Sequence, residues 1–60
     1  MTKAQQIHRA SMMLVAMAAL GVDIKDLAME TYSSGAFGSD DDVRRMYNKV
    51  NLASIKFNEG

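Results

Sequence analysis

Residues 11–22 read SMMLVAMAALGV, a segment with no charged side chain and apolar groups on every side of any helix it forms. A chain of only 60 residues must either enclose that segment or share it with another molecule. A domain of this size buries only about 60% of the surface its unfolded form exposes. There is no Cys for a disulfide, and one His among scattered carboxylates is a poor donor set for a structural zinc. Stability has to come from packing, within one copy or between copies. The expected organisation is a single helical domain covering 1–60.

The absence of Pro and the abundance of Ala and Met favour helices over strands. As a helix the apolar segment is roughly 18 Å long, against about 30 Å of hydrocarbon in a bilayer. Spanning would draw in Gln5, Gln6 and Arg9, so no membrane is expected as a partner. Lys3 and Arg9 before the segment, with Ala16-Met17-Ala18 inside it, have the outline of a secretion signal. Cleavage there would leave a still shorter Cys-free remainder, and the expected location is the cytoplasm. Seven basic and seven acidic residues balance, which gives no overall field to draw nucleic acid or an anionic surface.

Local signals divide the chain into three helices, at about 3–20, 23–33 and 39–57. Thr2-x-x-Gln5 has the spacing of a capping box. Gly21 can take the left-handed conformation that stops a helix, with Val22 packing back beyond it. Asp23 is expected to cap a second helix whose inner face is Ile24, Leu27, Ala28 and Thr31, with Tyr32 at its edge. The stretch SSGAFGS, rich in turn formers, is expected to be a linker with Phe37 folded back as a plug. Ser39 before Asp40, Asp41 and Asp42 places a hydroxyl cap and three carboxylates at the positive end of a helix dipole. Val43, Met46, Val50, Ala53 and Phe57 then recur at helical spacing as an apolar stripe, and Arg44, Arg45, Asn48, Lys49, Asn51 and Lys56 occupy the other side.

On a wheel of 100° per residue, Ala4, Ile7, Ala10, Ser11, Leu14, Val15 and Ala18 share one arc of the first helix. That arc is expected to be its core face. Met12, Met13, Ala16, Met17 and Leu20 fill a second apolar arc, where leaving each large side chain in water forfeits on the order of 2 kcal/mol. These five residues are the expected oligomer interface, most simply against the same face of a second copy. Leu52 and Ile55 lie on the polar side of the third helix, where they can extend that surface or form a second one.

Chemistry has little to work with. His8 is the sole His, and its neighbour Ser11 falls on the expected core face, so no nucleophile, base and acid converge. SDDD lacks the spaced ligands, turn Gly and closing Glu of a calcium loop. No catalytic residue, metal or cofactor is expected. The chain reads as a small homodimeric interaction module that binds a protein partner through the Arg44, Arg45, Asn48, Lys49, Asn51 and Lys56 face. Short, helical and Cys-free, it has the composition of an accessory protein of a phage or mobile element. The alternative is a dimeric DNA-binding regulator of helix-turn-helix type, using the third helix as reader. Two features disfavour it: a long turn before that helix, and three aspartates leading it toward the phosphates.

Overall fold

A computed structural model describes residues 1–59 as three helices: α1 (Lys3–Ala19), α2 (Lys25–Phe37) and α3 (Asp40–Glu59). The all-α class holds, and α1 packs most extensively on α3. Lys3 Nζ donates to the Gly38 carbonyl at 3.1 Å, so α1 and α3 begin at the same end of the bundle and α2, which links them in sequence, runs back alongside the pair.

Both ends of α1 are fixed by local chemistry. Thr2 Oγ1 accepts from the Gln5 amide at 3.1 Å while Gln5 Oε1 accepts from the Thr2 amide at 2.9 Å, closing the capping box. At the other end the Val22 amide donates to Met17 O and the Gly21 amide to Ala18 O, each at 3.0 Å. Gly21 has φ 89°, where a side chain would be strained, and Val22 packs against the core that contains Met17. These are the two hydrogen bonds and the apolar contact of a Schellman stop.

The second helix departs from expectation at both ends. It begins at Lys25, with Ile24 as its cap residue and Asp23 Oδ1 accepting from the Lys25 amide at 3.1 Å. It then runs through Ser33, Ser34 and Gly35 to Phe37, where a linker was expected. Tertiary packing outweighs the turn-forming composition: Ile7 lies against Gly35, its Cδ1 3.5 Å from where a Cβ would stand. The Gly38 amide donates to Ser34 O at 3.1 Å, ending the helix without a side-chain cap. Gly38 is required there, since a Cβ would come within 2.7 Å of that same carbonyl. Carried in the last helical turn, Phe37 points to solvent, 83% exposed, and meets Tyr32 edge to face at 6.5 Å. It is not a plug over the core.

The third helix opens as its sequence requires. The Asp42 amide donates to Ser39 Oγ at 3.3 Å, and Asp42 Oδ2 accepts from both the Ser39 amide and its hydroxyl at 3.0 Å. The Ser39 amide and then its hydroxyl hold the Asp42 carboxyl below its ordinary value, against a lesser opposing effect of desolvation, with the Arg45 charge adding the smallest contribution. Because the folded-state value is the lower one, this contribution to stability is complete above the ordinary carboxylate range and disappears as pH falls through the folded value. Thermal melts of the parent and Asp42→Asn should therefore differ at neutral pH and converge as the pH drops below about 4.

Ala10, Leu14 and Met17 of α1 meet Val43, Met46 and Val50 of α3 in the core, and Ile24, Leu27 and Ala28 of α2 pack against them half-buried. Thr31 is buried with its hydroxyl donating to Leu27 O at 2.8 Å. The α3 stripe weakens toward its end: Ala53 is half-buried and Phe57 exposed. The α1 wheel needs a correction. Ala4, Ser11, Val15 and Ala18 are exposed, while Met17 is 3% exposed and Met13 half-buried. The core direction is thus turned by roughly 70° from the expected arc, at 100° per residue. An all-apolar half-helix carries no periodicity to set its rotation, and the core gains more by enclosing Met than by enclosing Ser or Ala.

Candidate functional site

The rotation of α1 leaves an open apolar groove between α1 and α2, of about 700 Å³. Ile7, Ser11, Leu14, Val15 and Ala18 form the α1 wall, and Ile24, Ala28, Thr31, Tyr32, Gly35 and Ala36 form the other side. None of these side chains is charged. Ser11 Oγ donates to Ile7 O at 2.9 Å and Thr31 to Leu27 O, so both hydroxyls are used within their own helices. The Tyr32 hydroxyl is the remaining polar group of the wall. Chemically this is a surface for burying apolar groups, with no converging acid, base or nucleophile.

Val15 is 65% exposed on the rim, and Met12 and Leu20 are also exposed farther round α1. Of the five residues expected at an interface, Met12, Ala16 and Leu20 are on the surface; Met17 is in the core and Met13 is half-buried against it. Met17 is therefore withdrawn from any interface, because α3 already covers it. No family model, curated protein or solved structure matches the chain. The reading of the site accordingly rests on its chemistry.

The expected partner face on α3 is exposed at Arg44, Arg45, Asn48, Lys49 and Lys56 and half-buried at Asn51. Three of its four cations are engaged. Arg44 pairs with Asp41, Arg45 Nη2 with Asp42 Oδ1 at 3.2 Å, and Lys49 Nζ with Glu30 Oε2 at 2.8 Å across to α2. Such exposed pairs add about 0–1 kcal/mol each to stability, but they leave a mosaic of alternating sign where a basic patch was expected. The link from α2 to α3 is Gly38-Ser39, much shorter than the expected turn. That removes one objection to a helix-turn-helix reading, while the paired cations add another.

His8 is exposed, and among the described residues no group of three His, Cys, Asp or Glu converges on a metal position. No helix among them is long and apolar enough to cross a membrane. The groove itself was missed in the sequence. Ala28, Thr31, Tyr32 and Gly35 stand at i, i+3, i+4 and i+7, a continuous face visible only if the helix runs past Ser33.

Proposed function

We propose that this chain is a small helical interaction module that acts in the cytoplasm as a homodimer, paired through the apolar surface of α1, and binds a protein partner through its outward faces. The observation that carries the reading is the exposure of Met12 and Val15 on α1 and of Leu20 at its C-cap, at 58%, 65% and 68%. No charge interrupts that helix between Arg9 and its end. Covering these side chains recovers on the order of 1–2 kcal/mol each, a large fraction of what so small a domain has in total. The mixed-charge face of α3 suits a partner of complementary charge pattern, with binding that weakens as salt rises. Duplex DNA is the weaker reading, because Arg44, Arg45 and Lys49 would have to give up carboxylates to reach phosphates.

Sedimentation equilibrium tests the pairing. The wild type should run as a dimer, and the double variant Met12→Glu with Leu20→Glu as a monomer of unchanged helicity, since both positions are solvent-exposed in one copy. A wild-type monomer at millimolar concentration would overturn the reading.

A further inference from the structure

We infer that the Gly38-Ser39 joint between α2 and α3 is a hinge, and that opening it lets two copies of this chain exchange their third helices. The exchange is distinct from the pairing proposed above, in which each chain keeps its own α3.

The joint is the short link between Phe37 and Asp40, and Gly38 already has a φ of −83°, within the scatter of helical values; only its ψ of 159° is extended. Turning that ψ and releasing Ser39 from its cap carries α2 directly into α3. The unsatisfied carbonyls that end α2 and the unsatisfied amides that begin α3 then bond to each other. Two devices hold the joint closed. The bonds between Ser39 and Asp42 stop α3 from extending backward. Gly38 is the other: a Cβ there would lie 2.7 Å from the Ser34 carbonyl oxygen and 2.9 Å from Ser34 Cα, both backbone atoms of the packed α2. In a continuous helix the preference reverses, since Gly is among the poorest helix residues and Ala the best.

The straightened chain cannot close on itself. A single helix from Lys25 to Glu59 is about 52 Å long at 1.5 Å per residue, against 31 Å for the longest dimension of the bundle. The α1–α2 pair stays together through the Gly21 turn, and α3 stands clear of it with Val43, Met46 and Val50 uncovered. The surface that fits them is already defined: the α1–α2 pair of a second copy. A two-fold arrangement runs the two long helices antiparallel, so each α3 again meets Ala10, Leu14 and Met17, and Lys49 again meets Glu30, now across the boundary between chains. Only the joints differ from the closed form, and short hinge segments are where such exchange occurs.

Carbodiimide coupling reads the exchange on native residues, joining the Lys49 amine to the Glu30 carboxylate, 2.8 Å apart, as an amide with loss of water. Equal amounts of unlabelled and nitrogen-15 chains are refolded together at high concentration, coupled and digested, and the linked Glu30–Lys49 peptide is weighed. Closed bundles, alone or paired through α1, give peptide of a single label, whereas exchanged dimers give about half with both labels. Because both joints of a dimer straighten, Gly38→Ala should raise the exchange constant by roughly twentyfold or more from helix preference alone, shifting the peptide toward mixed label. Adding Asp40→Pro, tolerated in the first turn of α3 but not inside a longer helix, should return it to single label. If Gly38→Ala loses its helicity, Ser39→Ala undoes the cap without a clash and carries the same comparison. Single-label peptide from the folded variant at every concentration overturns the hinge, and so does a mixed signal that Asp40→Pro leaves in place. Neither result bears on the pairing through α1, which sedimentation of the parent chain reports.

Discussion

Met46→Ala leaves the chain largely unfolded at room temperature. Met46 is fully enclosed at the centre of the α1–α3 contact and is the largest of the fully buried side chains. Truncating such a residue costs about 2–5 kcal/mol, from lost transfer free energy and the cavity left behind. A domain of this length has roughly 3–9 kcal/mol in all, at 0.05–0.15 kcal/mol per residue. Urea titration followed by far-ultraviolet circular dichroism should show the midpoint collapsing toward zero denaturant. A variant that kept a cooperative transition near the parent midpoint would mean that α1 and α3 are held by something other than this core.

Met17→Glu should be equally damaging, and Met12→Glu harmless to the fold. The two methionines belong to one expected interface in the sequence, yet Met17 is 3% exposed and Met12 58%. A carboxylate at Met17 would sit among Ala10, Leu14 and the α3 core with no partner, which costs several kcal/mol or forces the group to be neutral. At Met12 it would stand in water. Helicity and melting temperature, read at a concentration where the parent is monomeric, should separate the variants cleanly. Loss of the dimer by a Met17 variant would consequently report unfolding, and only surface positions can report on association.

Legibility in the sequence followed the range of each signal. Devices written within three or four residues were readable: the Thr2/Gln5 box, the Gly21 stop with Val22 behind it, and the Ser39/Asp42 start all form as their spacing implies. The α3 core positions were readable too, because Val43, Met46 and Val50 contrast with charged neighbours. Where contrast was missing, the reading failed. The second half of α1 is apolar on all sides, so its rotation depends on how α3 and α2 meet it, and the exposed face moved from Met17 to Val15. Ser33, Ser34 and Gly35 favour turns locally, and the packing that favours their helical form, such as Ile7 against Gly35, comes from residues far away in sequence. The groove depends on both of these non-local outcomes, which is why it could not be anticipated.

The three helices are not equally secured. α1 and α3 carry side-chain caps and share the buried core, whereas the cap residue of α2, Ile24, makes no side-chain bond, only Asp23 reaches its first amide, and Thr31 is its one buried residue. Sub-global opening follows the weakest cooperative unit, and here that unit is α2, which can lift from the α1–α3 pair at a cost below that of global unfolding. Its amides would exchange with solvent ahead of the rest, and each such excursion would uncover Leu14 along with the groove floor. The apolar surface open to solvent is thus a property of the ensemble, with its depth set by how tightly α2 is latched.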